Sequence, residues 1–355
     1  MAEMASRERM RRALTGELPD RIPLCEICIW PETIQRWRTE GLPEDVDALD
    51  WLGMDKIAMY GADCSLRFPE QILEEDAETR LVRNTDGVTE RQWKTKTATP
   101  HKVDSLIKEP DDWLRYRDRL SFAPDRVAEG YADAVAAREH NDQWFAVVPG
   151  EPMWWALMAM GFERALPMLM DHPDVVEEMV AYQTRLNLEI IDHFTQLGKP
   201  DAMWHFSDLC YGNGMLFSPD QFRQIVLPHL KRITSACWDR DIVPMFHCCG
   251  KVTEFVPLLI ESGYACAQPL EARDRNDVRE LKPLYGDQIT LFGNISVDHL
   301  STALEQVDEE VEPKIRIAAK DGRYIFHSDH SVPPTVPLAN FRRALELARK
   351  LGSYE

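Results

Sequence analysis

Short apolar runs alternate along the chain with longer stretches in which hydrophobic residues recur at helical spacing. The runs are almost continuously apolar, which is typical of parallel strands covered on both faces. They predict eight strands, at Arg21–Ile27, Lys56–Tyr60, Trp144–Pro149, Met203–Asp208, Val243–Cys248, Tyr264–Pro269, Ile289–Asn294 and Tyr324–Ser328. Because strands that alternate with helices form parallel sheets, this order predicts an α/β fold, a single (β/α)8 TIM barrel over residues 1–355.

Helix signals fill the later gaps between the predicted strands. The stretch 172–198 carries its apolar residues broadly on one face and predicts one long helix. Residues 218–221 read Ser-Pro-Asp-Gln, a capping box that predicts a helix start, and Pro228 should kink that helix. The chain is expected to begin with a helical extension and to close with a helix at 337–351.

The stretch between Asp63 and Gln143 is too long for a single helix. Within it, Thr79–Arg83 and Val88–Trp93 flank an Asp-Gly pair, which is a strong signal for a β-hairpin. We therefore expect a β-hairpin insertion after the second strand, standing at the mouth of the barrel.

Composition narrows the class of protein. The 355 residues include 41 Lys and Arg against 60 Asp and Glu, for a net charge of −19. Phosphate contacts need clustered Lys and Arg, so this balance argues against nucleic acid and anionic membranes as partners. No long apolar run or signal-peptide core is present, and most of the 8 Cys fall inside apolar runs. This pattern predicts a cytoplasmic enzyme with reduced thiols.

Candidate chemistry collects at the carboxyl ends of the predicted strands, where barrels of this type place their active sites. The polar residues at or just beyond those ends are Glu26, Asp63, Glu151, Asp208, His247, Cys248, Cys249, Glu271, Asn294, Asp329 and His330.

The most specific element in this set is the sequence His247-Cys248-Cys249-Gly250. Residues i and i+2 of an extended strand face the same way, so His247 and Cys249 can hold one metal ion while Cys248 packs. Imidazole and thiolate are preferred zinc ligands, and a catalytic zinc keeps three protein ligands and one open position. Asp329 and His330 on the eighth strand are expected to face this pair.

Other candidates have structural interpretations beside the functional ones. Cys266 lies in the middle of a strand, where core packing is the simpler role. Cys25 and Cys28 have metal-like spacing, but on a strand they would face opposite sides. His205 is expected to be a buried, hydrogen-bonded histidine. Asp208 ends a strand, where a functional carboxylate and a helix cap are equally consistent with the sequence.

Tryptophans surround the predicted mouth. Trp154 and Trp155 begin a predicted helix, and one of them should belong to the core. The other, together with Trp30, could form an apolar wall for an aromatic ring or a cage for a quaternary ammonium group.

Several blocks resemble one known family in the same order. The opening RERMRRALTGELPDRIPL resembles the start of the uroporphyrinogen decarboxylase-like superfamily, and SPDQFRQIVLPHLKRI, MFHCCGKV, GNIS and VPPTVPLANFRRAL resemble later family blocks. The resemblance covers nearly the whole chain and implies a (β/α)8 barrel. The superfamily contains decarboxylases and zinc-dependent methyltransferases that exchange methyl groups with corrinoids.

The chain departs from the decarboxylase branch after the first strand. There the decarboxylases use an arginine-bearing segment to hold the carboxylates of their substrate. Here the segment is CEICIWPETI, which has no Arg and contributes Glu26 and Glu32. Two acidic residues would repel a substrate with many carboxylates, so the methyltransferase branch is the better match.

The methyltransferase resemblance implies a zinc site made by His247, Cys249 and a third ligand after the eighth strand. Where the family has Cys, this chain has His330, which would make zinc a stronger Lewis acid. The alternatives for that third or fourth position are Asp329, Glu151, Asp208 and Cys266.

The same resemblance implies an activity. The expected reaction moves a methyl group from a small-molecule donor, such as an aryl methyl ether, to the cobalt of a corrinoid (cobalamin) carried by a partner protein. Asp208, Glu271 and Glu26 are the candidates for orientation or proton delivery, and Asn294, Trp30 and Trp154 for cofactor binding. The alternatives are transfer from methylcobalamin to a thiol or tetrahydrofolate, a decarboxylase or lyase, and a non-catalytic binding barrel.

Overall fold

Thirteen strands are present in the computed structural model, which describes residues 3–96 and 98–354. They are β1 (Lys56–Gly61), β2 (Gln71–Glu75), β3 (Thr79–Arg83), β4 (Val88–Trp93), β5 (His101–Ser105), β6 (Gln143–Val148), β7 (Ala202–Ser207), β8 (Cys210–Tyr211), β9 (Gly214–Met215), β10 (Val243–Cys248), β11 (Cys266–Gln268), β12 (Thr290–Phe292) and β13 (Tyr324–Ile325). Seven of them form a parallel sheet in the order β1-β6-β7-β10-β11-β12-β13. The predicted α/β class and parallel sheet are confirmed, and these seven strands overlap seven of the predicted runs.

The first predicted strand, Arg21–Ile27, is wrong as a continuous strand. Its residues make isolated bridges, including a parallel one between Leu24 and Phe326. The physical reason lies in its amide groups. Pro23 has no N–H, and the N–H of Leu24 donates to Asp55 Oδ2 at 2.8 Å. The segment therefore lacks two of the donors that a strand would offer to its neighbour.

This segment nevertheless contacts both edges of the seven-stranded sheet. Next to β13, the N–H of Phe326 donates to Pro23 O at 2.9 Å and that of Cys25 to Phe326 O at 3.0 Å. Next to β1, the N–H of Asp55 donates to Leu24 O at 2.7 Å. The segment thus takes the place of the predicted first strand between the two edges, which is consistent with a barrel.

Fifteen α-helices accompany the strands in the part of the chain that the structure describes. They are α1 (Ser6–Thr15), α2 (Pro31–Thr39), α3 (Ala48–Trp51), α4 (Pro110–Tyr116), α5 (Tyr131–Ala137), α6 (Pro152–Met160), α7 (Phe162–Asp171), α8 (Pro173–Leu197), α9 (Pro219–Gln221), α10 (Leu227–Trp238), α11 (Val256–Glu261), α12 (Val278–Tyr285), α13 (Val297–Leu300), α14 (Leu304–Ala318) and α15 (Leu338–Leu351). The predicted long helix corresponds to α8 and the predicted closing helix to α15. Between α9 and α10 the backbone forms a π-helical turn at Phe222–Val226, just before Pro228, so the predicted irregularity is present.

Alternate residues of the parallel strands form two separate cores. One core lies between the sheet and its helices, and the other lies inside the sheet. The inner core contains Trp144, Trp204, Met245, Cys266, Phe292 and Ile325, together with Met10, Ala13 and Leu14 of α1. Because Thr290, the first residue of β12, donates to Ala13 O at 2.8 Å, α1 lies across the amino-terminal end of the strands. The predicted N-terminal extension therefore closes that end.

The insertion between β1 and β6 is larger than predicted. The expected hairpin is present as β3 and β4, but β2 and β5 extend it to a four-stranded antiparallel sheet. This insertion sheet packs on α6, since Trp155 Nε1 donates to Asp86 Oδ1 at 3.0 Å and Ser105 Oγ donates to Ala159 O. It therefore stands at the carboxyl end of the parallel strands, as expected. Within residues 3–96 and 98–354, no helix has the length and apolar character needed to cross a membrane.

A buried ionic cluster fastens α1 to the segment at the sheet edges. Asp55 and Arg9 are each 2% exposed, and Arg9 Nη1 donates to Asp55 Oδ1 at 2.5 Å. Arg21 Nη1 donates to Asp55 Oδ2 at 2.7 Å, beside the Leu24 amide. One carboxylate therefore holds two guanidinium groups and a backbone donor.

We predict that Asp55→Ala lowers the free energy of unfolding by about 1–3 kcal/mol, because the buried Nη1 of Arg9 and the N–H of Leu24 lose their acceptor, while Asp20 still pairs with Arg9 Nε at 2.7 Å. Asp50→Ala is the control, since the pair between Asp50 and Lys56 is exposed and should contribute about 0–1 kcal/mol. Urea denaturation of both variants measures the difference. Equal losses in the two variants would contradict the role assigned to Asp55.

Candidate metal centre at the carboxyl end of the sheet

Backbone pairing between β7 and β10 brings the candidate ligands together. The parallel register places His247 beside Phe206 and Cys248 beside Ser207. Asp208 follows β7 directly, and Cys249 follows β10 directly. Two residues distant in sequence therefore leave neighbouring strands at the same edge.

Three potential ligand atoms converge at this edge. One atom each of Asp208, His247 and Cys249 lies within 4.8 Å of the other two. The distance from Cys249 Sγ to His247 Nε2 is 3.4 Å, and that from His247 Nε2 to Asp208 Oδ1 is 3.9 Å. Metal bonds of about 2.0–2.3 Å at tetrahedral angles place ligand atoms about 3.3–3.7 Å apart. The cluster is thus close to the size of a zinc site.

The orientation of His247 also suits metal binding. Its Nδ1 lies 2.5 Å from Gln268 Oε1, which can only accept, so Nδ1 carries the proton. Nε2 is then left with a lone pair directed toward Cys249 and Asp208. The ring stacks on Phe206 with centroids 4.8 Å apart. Burial lowers the pKa of His247, which keeps the imidazole neutral as a metal ligand must be.

The turn after Cys249 is fixed by its glycine. Gly250 has φ +89°, and a Cβ on it would lie 2.6 Å from the backbone N of Tyr211. Its N–H donates to Glu271 Oε2 at 2.8 Å. Burial, together with Asp274, raises the pKa of Glu271 to about 7. The site therefore has, next to its turn, a carboxyl group that can hold or release a proton near neutral pH.

The thiol of Cys249 is held in its neutral form by its surroundings. Burial and the charges of Asp208 and Glu271 raise its pKa well above the ordinary value. A cation between the thiolate and the carboxylates would reverse this effect, because the negative charges would then be stabilised. The donor set therefore fits a divalent metal.

The other residues considered as third ligands have different surroundings. His330 is not in the cluster of potential ligand atoms, whereas Asp208 is. Asp329 accepts from the N–H groups of Val297 and Ala272, each at 2.9 Å, and so fixes two loops. Glu151 caps α6 through the N–H of Trp154, and Cys266 packs in the inner core. As a ligand, His330 stays a prediction.

Glu26 belongs to a buried ion pair that the sequence did not suggest. Its Oε1 lies 2.8 Å from His327 Nε2, and its Oε2 accepts from Ser328 Oγ at 2.7 Å. Burial lowers the pKa of His327, but the charge of Glu26 and the hydrogen bonds to Glu26 and to the carbonyl of Ser328 outweigh burial and raise it overall. His327 was not predicted as a site residue. Because it follows the inward-facing Ile325 by two residues, strand alternation would have placed its side chain on the inner face.

The residues predicted to bind a cofactor lie in three places. The Asn294 amide donates to Leu270 O and Asn276 O, each at 2.7 Å, and so supports the loop after β11. Trp30 occupies the N-cap position of α2 without a capping hydrogen bond from its side chain, whereas Trp154 lines a cavity with Asp208. Trp155 is the buried member of its pair. An aromatic cage of Trp30 and Trp154 around this cavity is therefore not formed.

That cavity, of about 460 Å³, extends from Asp208 to the insertion sheet and is lined by β5, α6 and the start of α7. Its size is within the range of small-molecule sites. Asp208 is the residue that this cavity shares with the cluster of potential ligand atoms.

Comparison with known proteins identifies the family. Residues 101–351 match the family model described as uroporphyrinogen decarboxylase (URO-D), well over half of the chain. The chain belongs to the URO-D family. The resemblance seen in the sequence is thereby confirmed.

Two proteins to which this URO-D family member is similar are methyltransferases by name. The chain is 28% identical over 135 residues to the methylcobamide:CoM methyltransferase MtaA of Methanosarcina barkeri, a match that covers 38% of the chain and 37% of the relative. A solved methyltransferase from Methanosarcina mazei superposes with a TM-score of 0.64 at 17% identity, covering 98% of this chain and 99% of the other. The second likeness establishes the fold alone.

We predict a pH-dependent effect of Glu26→Gln on stability. With its raised pKa, His327 contributes stability that is fully present below about pH 6.5 and is lost as the pH rises through the folded pKa. Glu26→Gln removes the partner charge, so its cost in unfolding free energy should be largest in acid and shrink with rising pH. Urea denaturation from about pH 5.5 to about pH 8.5 measures this trend.

Glu32→Gln is the matched control for that series, because Glu32 is exposed on α2. It should show a small cost at every pH. A cost of Glu26→Gln that does not vary with pH would show that the pair is not ionic.

Proposed function

We propose that this protein is a zinc-dependent methyltransferase that moves a methyl group from a methylated small molecule to the cobalt of a corrinoid on a separate protein. An aryl methyl ether is the leading donor. The observation that carries the proposal is the convergence of Asp208, His247 and Cys249 beside an open cavity. The partial match to a methyltransferase supports the same class of reaction.

Zinc at this cluster would act as a Lewis acid on the heteroatom that carries the methyl group. The set of imidazole, thiolate and carboxylate ligands leaves a fourth position for that atom. With one thiolate, the site is less electron-rich than one with two, which favours activation of a poor leaving group such as an ether oxygen.

The chain's own residues orient the zinc ligands and can supply a proton to the leaving group. Gln268 accepts the Nδ1 proton of His247 and fixes the ring in the orientation that presents Nε2. Glu271 holds the Gly250 turn and, with its pKa of about 7, can supply a proton to a leaving oxygen. Because Glu26 is paired with His327, we assign it the role of positioning the loops at the strand ends.

We assign the corrinoid to a partner protein. The described residues form the parallel sheet with its helices and two small antiparallel sheets, and the cavity beside Asp208 is open to the surface. A partner that docks at the carboxyl end of the sheet would bring its cobalt to that opening.

The second candidate is the reverse transfer, from a methyl-corrinoid to a thiol. The partial match to a methylcobamide:CoM methyltransferase favours it. A decarboxylase activity has less support, because residues 25–34 contain no Arg and Glu26 pairs with His327.

We expect the purified protein to contain about one zinc ion per chain, as a single site with three protein ligands requires. Loss of a residue that only supports a metal ligand lowers metal affinity by about 10- to 100-fold. Loss of a ligand itself should cost more, so His247→Ala, Cys249→Ser and Asp208→Ala should each lower zinc affinity beyond that range. His330→Ala should retain zinc. Metal analysis and chelator competition measure these effects, and loss of zinc in His330→Ala with retention in Asp208→Ala would reverse the assignment of the third ligand.

Methyl transfer itself is tested with free cob(I)alamin in place of the partner. The wild-type protein with a methoxylated aromatic donor should convert cob(I)alamin to methylcobalamin, followed by absorbance, and Cys249→Ser should reduce the rate to background. Demethylation of methylcobalamin by a thiol, with no reaction from methoxy donors, would establish the second candidate instead.

A further inference from the structure

The cavity beside Asp208 has predominantly apolar walls. Trp154 and Phe162 contribute rings whose centroids are 5.7 Å apart, and Met158 and Met160 of α6 lie beside them. Aromatic and thioether side chains of this kind favour a flat apolar ligand. The walls thus suit an aromatic ring better than a short aliphatic chain.

Lys102 of β5 places an ammonium group in this apolar surrounding. Its Nζ contacts the thioether sulfur of Met158, which is a weak acceptor. Among residues 3–96 and 98–354, no carboxylate oxygen lies within 4.0 Å of it, since Lys102 is in none of the ion pairs found there. Burial lowers its pKa. An ammonium group so placed retains donors for an incoming acceptor.

The nearest acidic residues of the insertion sheet are already engaged. Glu90 accepts from Gln92 Nε2 at 2.6 Å, and Asp86 accepts from the N–H of Leu66 and from Trp155 Nε1, each at 3.0 Å. They raise the pKa of Lys102 through space without occupying its donors.

Among the other ionisable side chains that line the cavity, His101 is exposed, and the charged ones are paired, exposed or part of the ligand cluster. Asp104 pairs with Lys108 at 2.7 Å and with Arg164 at 3.0 Å. Glu163 is exposed at the outer rim, and Asp208 belongs to the ligand cluster. Within the described part of the cavity lining, Lys102 is therefore a cationic side chain that has no anionic partner.

We propose that the cavity binds the methyl donor as an aromatic carboxylate, with the ring against Trp154 and Phe162, the carboxylate on Lys102, and the methoxy group at Asp208. This assignment rests on the proposed function and names its substrate class. A quaternary ammonium donor is disfavoured because Lys102 would repel it.

The reaction balances with a cobalt(I) corrinoid as acceptor. The bond between the methyl carbon and the ether oxygen breaks, and the electron pair of cobalt(I) forms the new bond to carbon. The aryl oxygen keeps the pair of the broken bond and takes up one proton, so the product is a hydroxylated aromatic acid.

Binding of 4-methoxybenzoate to the zinc-loaded protein, measured by calorimetry without any corrinoid, tests the assignment. A charge-assisted hydrogen bond to Lys102 should make 4-methoxybenzoate bind about 10- to 100-fold more tightly than uncharged methoxybenzene. Lys102→Met should abolish that preference, and Lys102→Arg should retain most of it.

Two further variants keep the test specific. Lys108→Met is the matched control, because Lys108 pairs with Asp104 on the outer side, and it should leave the preference unchanged. Trp154→Ala should weaken both ligands alike, which shows that they occupy this cavity.

Equal affinities of wild type for the two ligands, or an unchanged preference in Lys102→Met, would overturn the assignment. Tighter binding of 2-mercaptoethanesulfonate than of 4-methoxybenzoate would also overturn it and would favour the thiol reaction. Because the measurement involves no methyl transfer, failure of the proposed function would show separately, as absent zinc or absent methylation of cobalt.

Discussion

The hydrogen bonds between β7 and β10 determine which side chains meet at the candidate site. Their parallel register sets His247 beside Phe206, so that the next residues, Asp208 and Cys249, leave the sheet together. A shift of one residue would turn His247 outward, because successive side chains of a strand face opposite sides. The convergence of the candidate metal ligands is thus a property of strand pairing, and the loops only complete it.

The sequence predicted the elements whose apolar pattern is strong. The hairpin at Thr79–Arg83 and Val88–Trp93 and the strand Val243–Cys248 have the bounds expected of them. The edge segment at Arg21–Ile27 was misassigned because its pattern is that of a strand, while Pro23 lacks an N–H and the N–H of Leu24 is satisfied by Asp55, far away in sequence. Such long-range partners are invisible to local periodicity.

The candidate site was predictable to a similar degree. His247 and Cys249 followed from alternation along one strand, but the choice between Asp208 and His330 depends on how neighbouring strand ends are spaced, which one sequence does not define. Gln268 was also missed. It lies within a predicted strand as an isolated polar residue in an apolar run, and only the register of β11 on β10 shows that it faces His247.

The packing of α1 has a consequence for how molecules reach the candidate site. Since α1 and the inner core fill the amino-terminal end of the strands, a molecule that reaches His247 must enter and leave by one end. Under the proposed function, the methyl donor and the corrinoid protein would use the same opening, so the donor would have to bind first. The order of events in each catalytic cycle would be set by a helix that takes no part in the chemistry.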